Sequence, residues 1–219
     1  MLLIIKKGTK VAKVVTFANV KGGSGKSTLC INMAAILVRT GYSVAIIDAD
    51  QQKCSQDWIT GTKDKLLSRV EIIEPVELKA AEDVEVDFLL IDTQGSLTKE
   101  MAQFLFQSSL IITPCRASRD DIVGQGWIEV FLKQSNQNIK KAPILTVLNG
   151  VNKRSSILSH VIEQLKEDGV QVAETCISQR VCFAETNVNK ISVIGYNKHA
   201  TREIVDLTNE ALNLIKSEI

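Results

Sequence analysis

The chain has 219 residues, of which 45% are hydrophobic and 23% are charged, and its formal net charge is only +1. This length is enough for one well-buried α/β domain and short for two, so we expect a single domain over residues 1–219. The near-neutral charge excludes a chain that is basic throughout, and any contact with DNA would need a local basic patch.

Cysteine usage and hydropathy predict a cytoplasmic protein. The five cysteines are odd in number, scattered along the chain and without the spacing of a zinc site, which favours reduced thiols. The apolar opening at residues 1–5 is too short for a signal peptide, and no apolar run approaches the length of a membrane span. We therefore expect a soluble protein that makes no contact with membranes.

A glycine-rich stretch at residues 21–28 lies between a β-branched run and a segment with helical spacing, which predicts a strand-to-helix turn. Such a turn can point its N–H groups inward at a polyanion, and the helix adds its N-terminal donors. Lys26 would lie along the β- and γ-phosphates of ATP, and the Ser27 hydroxyl would ligate Mg²⁺. The residues predicted to bind the nucleotide here are Gly22, Gly23, Ser24, Gly25, Lys26, Ser27 and Thr28.

The next run, at residues 43–50, is apolar and ends in carboxylates, which predicts a buried parallel strand whose tip enters the site. On a strand of period two, Asp48 and Asp50 would point the same way, so both could approach Mg²⁺ or the attacking water. Two solvated carboxylates at a strand end are the alternative interpretation.

A third strand is predicted at residues 88–92, where four apolar residues precede Asp92 in a Walker B arrangement. Asp92 would sit beside Ser27 and hold Mg²⁺ through a water molecule, because this ion keeps much of its hydration shell. Gly95 follows the strand and gives the backbone freedom to approach the γ-phosphate.

The remaining apolar runs complete an alternation of strands and helices. Further strands are predicted at residues 70–73, 110–114, 144–149 and 170–173, and further helices at 53–60, 155–167 and 201–219. This alternation predicts an α/β fold with a doubly wound, mostly parallel sheet that is flanked by helices and binds nucleotide at the carboxyl ends of its strands.

A local excess of basic side chains lies near the end of the chain. Arg180, Lys190, Lys198 and Arg202 are set against one acid between residues 176 and 202. Contact with DNA phosphates would need such an excess. Surface lysines placed by chance explain it nearly as well.

The glycine-rich loop departs from the usual phosphate-loop pattern, which has glycine at the position of Val20. Its form, Lys-Gly-Gly-x-Gly-Lys-Ser, instead resembles the deviant Walker A loop of the ParA/MinD family, closest to the short, ParF-like partition proteins. The resemblance implies a P-loop NTPase fold. It also implies that Lys21 reaches across an ATP-sandwich homodimer to the phosphates bound by the other subunit.

Two further positions take roles from the same resemblance. Residues 48–52 are similar to the family's Asp-x-Asp-Pro-Gln element, with Gln51 in the place of proline. The resemblance implies that Asp50 orients or activates the attacking water and that Asp48 supports the magnesium shell. Asn149, at the end of a predicted strand, resembles the residue that reads adenine, since an amide offers both a donor and an acceptor.

The implied activity is Mg²⁺-dependent ATP hydrolysis in a dimer that binds DNA without reading its sequence. By resemblance the chain would associate with the nucleoid and would drive plasmid or chromosome partition with a centromere-binding, ParB-type partner. A MinD-like membrane or protein-positioning ATPase is one alternative, and an ATP-dependent ligase similar to dethiobiotin synthetase is another. The last helix has a mixed polar face, which disfavours membrane targeting.

Overall fold

The structure is a computed structural model. It describes residues 11–75, 84–96, 98–118, 126–128, 130–132 and 142–217. The opening at residues 1–5 lies outside the described residues. That the whole chain forms one domain stays a prediction.

Seven parallel strands form the centre of the described structure. They are β1 (Lys13–Phe17), β2 (Val44–Asp48), β3 (Glu71–Ile72), β4 (Phe88–Asp92), β5 (Leu110–Cys115), β6 (Ile144–Val151) and β7 (Ile177–Ser178). Their order across the sheet is β3-β2-β4-β1-β5-β6-β7, and every described pair is parallel. The apolar runs at β1, β2 and β4 are buried along nearly their whole length, as expected of central parallel strands.

Helices connect these strands. They are α1 (Lys26–Arg39), α2 (Cys54–Thr60), α3 (Lys99–Gln107), α4 (Ser156–Glu167), α5 (Val181–Val188) and α6 (Lys198–Ser217), with a 3₁₀ turn at Leu67–Arg69. Residues 126–128 and 130–132 are helical as well. None of the helices among the described residues combines the length and the apolar character that crossing a membrane requires.

The sheet has a core on both faces. Phe17 of β1 belongs to the cluster that α1 and α6 cover, and this cluster includes Leu207 of α6. Val14 of the same strand lies in a separate cluster on the opposite face, together with Phe104 of α3. Helices on both faces of a parallel sheet confirm the predicted doubly wound α/β fold.

The register brings the ends of three strands to one place. Phe17 at the end of β1 is the partner of Asp92 at the end of β4, and Asp48 at the end of β2 is also opposite Asp92. The chain winds from β1 out to β3 and then returns through β4 to the other side of β1. Ligands of doubly wound sheets bind outside the carboxyl ends of the strands at such a reversal.

One predicted strand is wrong. Residues 170–173 make a single bridge, between Val172 and Thr146 of β6, and the last strand is β7. The Val170 N–H donates to the Leu165 carbonyl at 2.9 Å, and Gly169 has φ +77°. Val170 therefore belongs to the capping turn of α4, which leaves too few residues for a full strand.

Two predicted boundaries also differ. The run at 43–50 stops being a strand at Asp48, so the alternation that placed Asp50 on the same side as Asp48 does not apply. The last helix begins at Lys198, earlier than predicted, because the Asn197 side chain accepts hydrogen bonds from the N–H groups of His199 and Ala200. The helices α3 and α5 were not predicted.

Candidate nucleotide site

The loop between β1 and α1 contains two positions whose backbone conformation favours glycine. Gly23 has φ +72° and Gly25 has φ +99°, both in the left-handed region. Gly25 is also the residue at the N-cap of α1, so the loop passes directly into a helix whose first N–H groups lack helical partners. This is the strand–loop–helix arrangement predicted for residues 21–28, and it suits a phosphate group.

Asn19 fixes the start of the loop. Its side-chain carbonyl accepts from the Lys21 N–H at 2.9 Å, and its amide group donates to the Pro114 carbonyl of β5 at 2.5 Å. Asn19 is fully buried, and its bond to Pro114 is shielded from water. The loop therefore leaves the sheet in a defined direction, attached to two neighbouring strands.

Lys26 points back into this loop. Its ammonium group donates to the Lys21 carbonyl at 3.3 Å, and the residue is only 6% exposed. Burial lowers the pKa of Lys26, while the charges of Asp92 and Asp50 act in the opposite direction. A buried ammonium between a glycine loop and two carboxylates is suited to bind a polyphosphate with its metal ion.

Asp92 is completely buried at the end of β4. Burial raises the pKa of its carboxyl to about 6, although the hydroxyls of Ser27 and Ser55 favour the ionised form. Ser55 of α2 donates to Oδ2 of Asp92 at 2.5 Å. Among the described residues, Oδ1 of Asp92 has no hydrogen-bond partner.

That unpartnered oxygen fits the predicted magnesium site. Mg²⁺ prefers oxygen ligands and is held through one or two carboxylates together with water and phosphate oxygens. Ser27 lies on the first turn of α1, close enough to Asp92 to influence its pKa. Ser27 and Asp92 would therefore hold Mg²⁺ beside the phosphate loop.

The two acids after β2 occupy different positions. Asp48 is buried, and its carboxylate accepts the N–H groups of Asp50 at 3.0 Å and Gln56 at 2.9 Å. Asp50 lies in the following turn, is half-buried and accepts the Gln52 N–H at 2.9 Å. Asp48 thus holds the turn that presents Asp50, and the predicted roles of both acids with Mg²⁺ and water stay predictions.

Asn149 lies against the phosphate loop. Its side-chain amide donates to the Ser24 carbonyl at 2.7 Å. A Cβ atom on Gly25 would come within 2.1 Å of the same amide nitrogen, so the contact requires glycine at that position. The predicted role of Asn149 in reading adenine stays a prediction, and the structure gives the residue a contact with the loop in addition.

The segment after β4 runs close to the same loop. The Thr93 hydroxyl donates to the Phe17 carbonyl at 2.9 Å, which joins the segment to the end of β1. A Cβ atom on Gly95 would lie 2.9 Å from the Gly22 nitrogen. Gly95 therefore allows a close approach to the phosphate loop, and its predicted approach to the γ-phosphate stays a prediction.

The structure pairs most of the basic side chains near the end of the chain. Lys190 forms an ion pair with Asp57 at 2.8 Å, and Arg202 lies 3.5 Å from Asp206. Arg180 contacts the buried Glu203 at 3.3 Å. Three of the four basic groups thus have acidic neighbours, which reduces the charge available for DNA phosphates.

Sequence reasoning assigned no role to two residues of the site. Ser55 of α2 reaches Asp92 although the two residues are 37 positions apart, and nothing in the sequence neighbourhood of Ser55 indicates this contact. Arg116 follows β5 directly, and its guanidinium donates to the Gly23 carbonyl at 3.0 Å. A basic residue at the carboxyl end of a central strand was the signal that could have identified Arg116.

Comparison with known proteins agrees with this geometry. A family model described as the CobQ/CobB/MinD/ParA nucleotide binding domain matches residues 15–193. The Maintenance of carboxysome distribution protein A of Halothiobacillus neapolitanus is 24% identical over 208 residues, covering 92% of this chain and 95% of that protein.

Solved structures share the fold at lower sequence identity. An ATP complex of a McdA variant from Cyanothece has a TM-score of 0.76 at 15% identity and covers 92% of this chain and 96% of its own. A plasmid partition protein from Borrelia burgdorferi has a TM-score of 0.68 at 20% identity and covers 93% of this chain and 99% of its own.

Proposed function

The chain belongs to the CobQ/CobB/MinD/ParA family of nucleotide-binding domains, and from this premise we propose that it is a Mg²⁺-dependent ATPase that dimerises around ATP. The observation that carries the proposal is the pair of lysines on one glycine loop. Lys26 is buried behind the loop, whereas Lys21 begins it and is only half-buried. The usual phosphate-loop pattern contains only the lysine at the position of Lys26. In the deviant loop that this stretch resembles, the first lysine reaches the phosphates bound by a second copy, and we assign Lys21 that role.

The remaining groups have separate tasks in hydrolysis. Ser27 and Asp92 would hold Mg²⁺, and the bound ion would neutralise charge on the phosphates. Lys26 stabilises the charge that develops as the terminal phosphoryl group leaves. Asp50, on the turn held by Asp48, orients the attacking water. Positioning and charge stabilisation are sufficient for this reaction, because the phosphoryl transition state needs little covalent help.

We infer that the biological role is partition. In this proposal the ATP-bound dimer binds DNA without reading sequence and associates with the nucleoid. A centromere-binding, ParB-type partner stimulates hydrolysis and so releases the dimer. Support comes from the shared fold with a plasmid partition protein over nearly the whole chain. Because Lys190 and Arg202 form ion pairs, we expect other basic residues to make the contacts with DNA.

A positioning ATPase with a protein cargo is the second candidate. It is favoured by the carboxysome distribution relative, which matches 92% of this chain. A membrane-positioning version is disfavoured because α6 contributes Ile204, Leu207 and Leu212 to the core. The two candidates share ATP-dependent dimerisation and differ in the cargo that binds the dimer.

The first test compares Lys21→Ala with the wild-type chain by light scattering and ATP turnover. Wild type should change from the 24.1 kDa monomer to a dimer when Mg²⁺ and a non-hydrolysable ATP analogue are added. Lys21→Ala should bind ATP yet stay monomeric. Its turnover should fall at least about tenfold, because the ammonium group that would stabilise the charge of the transferring phosphoryl group is lost. Lys63→Ala, at an exposed lysine, is the matched control.

The second test measures binding to random-sequence duplex DNA with and without Mg²⁺-ATP. Binding should require ATP and weaken steeply with salt, as expected of phosphate contacts. If the chain dimerises but does not bind DNA, the proposed ATPase activity would stand and the partition role would be rejected. A Lys21→Ala variant that still dimerises and hydrolyses ATP would reject the shared-nucleotide dimer itself.

A further inference from the structure

Two side chains from neighbouring strands hold consecutive carbonyl groups of the phosphate loop. Arg116, just after β5, donates from Nη2 to the Gly23 carbonyl at 3.0 Å. Asn149 of β6 donates to the Ser24 carbonyl at 2.7 Å. Both donors come from the same side of β1 in the sheet order, opposite to the side of β2 and β4 that supplies the acids.

The backbone around Arg116 is itself well defined. The Ser118 N–H donates to the Arg116 carbonyl at 2.8 Å, and the preceding Cys115 is fully buried at the end of β5. The adjoining Pro114 carbonyl accepts from Asn19 at the start of the phosphate loop. The guanidinium is therefore presented from a short turn that is attached to the loop at a second point.

A glycine loop gains its anion-binding geometry only when its backbone is held. Glycine has more accessible backbone conformations than any other residue, so an unsupported loop loses entropy when it closes on a phosphate. Hydrogen bonds that fix its carbonyl groups orient the peptide units and hence the N–H groups on their other side. A charged donor makes such a bond stronger than a neutral one.

We propose that Arg116 is a positioning residue of the phosphate site, which holds the Gly23 peptide so that the loop is preformed for the polyphosphate. The inference rests on the proposed nucleotide-binding function and assigns a residue that the phosphate-loop pattern does not contain. Arg116 acts through the loop carbonyl, and Lys26 remains the cation that lies along the phosphates.

The first experiment needs no nucleotide. ¹⁵N relaxation of the loop amides at Gly22, Gly23 and Gly25 is compared among wild type, Arg116→Ala and Arg39→Ala. The loop amides should become more mobile in Arg116→Ala and stay unchanged in the control, because Arg39 lies at the far end of α1. Unchanged loop mobility in Arg116→Ala would overturn the proposal.

The second experiment measures the affinity for ATP and ADP at low and high salt. Arg116→Ala should weaken both nucleotides about tenfold, and the loss should persist in about 0.5 M salt, because the directed hydrogen bond to the loop is lost even where salt screens the exposed charge of Arg116. Arg116→Lys, which keeps a charge but not the planar guanidinium, should recover only part of the affinity. A loss that disappears in high salt and is fully restored by lysine would instead assign Arg116 a charge effect and overturn the positioning role.

These outcomes are distinct from failure of the proposed function. If the wild-type chain binds no ATP, the proposed ATPase is wrong, and the relaxation measurement still decides whether Arg116 holds the loop. If wild type binds ATP and both Arg116 measurements match the control, the ATPase stands and this inference fails.

Discussion

The pKa values of two buried acids are shifted in opposite directions. Burial raises the pKa of Asp92 to about 6. Burial also acts to raise the pKa of Glu203, but hydrogen bonds from Lys153, Ser178 and Arg180 outweigh it and bring that pKa down to about 2. Among the described residues Asp92 thus keeps one carboxylate oxygen without a hydrogen-bond partner, whereas Glu203 is paired with Lys153 and Arg180.

Glu203→Gln tests this stabilising role. Because the pKa of Glu203 in the fold, about 2, lies below the ordinary value of 4.5, its contribution is full above that value and is lost as the pH falls toward 2. We expect the free energy of unfolding to fall by about 3 kcal/mol near pH 7, with roughly half that difference near pH 3. Urea unfolding at several pH values measures it.

The control for this prediction is Glu163→Gln, at an exposed glutamate of α4. That change should alter the free energy of unfolding by less than about 0.5 kcal/mol at any pH. A Glu203→Gln loss of the same size at both pH extremes would mean that the side chain acts through packing and not through its charge.

At the scale of elements, the phosphate loop and the segment after β4 approach each other through glycine. The nearest neighbours of a Cβ on Gly95 would be backbone atoms, the Gly22 nitrogen at 2.9 Å and the Lys21 carbonyl carbon at 3.1 Å. At Gly61 the nearest atoms belong to the flexible Lys190 side chain, at 2.6 Å and beyond. A side chain can move aside at Gly61, whereas at Gly95 one backbone segment must shift.

Gly95→Ala should therefore separate the two segments without unfolding the protein. We expect ATP turnover to fall by about tenfold to a hundredfold, because displacements near 1 Å at a reacting centre have effects of that size. The melting temperature should change little. Gly61→Ala, the matched control, should keep its turnover, and equal turnover in both variants would show that the close approach is not needed for hydrolysis.

The strands and helices that a short stretch of sequence determines could be predicted. The strands that end at Asp48 and Asp92 are short, buried apolar runs, and their carboxylates meet because parallel strands share an edge. The contacts of Ser55 with Asp92 and of Arg116 with Gly23 depend on residues far apart in sequence. Residues 170–173 have a strand-like pattern, but Val170 forms part of the capping turn of α4. The local pattern does not show whether Val170 joins a strand or the helix cap.

At the scale of the whole molecule, α6 is an integral part of the core. Its apolar face packs with α1 and the sheet, and its members in the core are Ala200, Ile204, Leu207, Ala211, Leu212 and Ile215. The opposite face carries mixed charges, including the Arg202 and Asp206 pair. The helix therefore closes one face of the sheet and is not a detachable tail.

Leu207→Ala should destabilise the whole chain, because Leu207 is 1% exposed in this core. We expect a loss of about 2 to 5 kcal/mol in the free energy of unfolding, the range for leucine truncation in a packed interior. Val188→Ala, at an exposed residue of α5, should change it by less than about 0.5 kcal/mol. Chemical denaturation compares the two, and a small effect of Leu207→Ala would mean that α6 packs only loosely.

The split between the two sides of β1 has a consequence for how such a protein can diversify. The side chains that hold carbonyl groups of the phosphate loop, Asn149 and Arg116, come from one half of the sheet, whereas the acids Asp50 and Asp92 come from the other. Under the proposed function, mutations at Arg116 would act mainly on nucleotide affinity, and mutations at Asp50 mainly on turnover. An engineer who wanted slower ATP turnover with unchanged nucleotide affinity would therefore change Asp50 and keep Asp92, the proposed magnesium ligand.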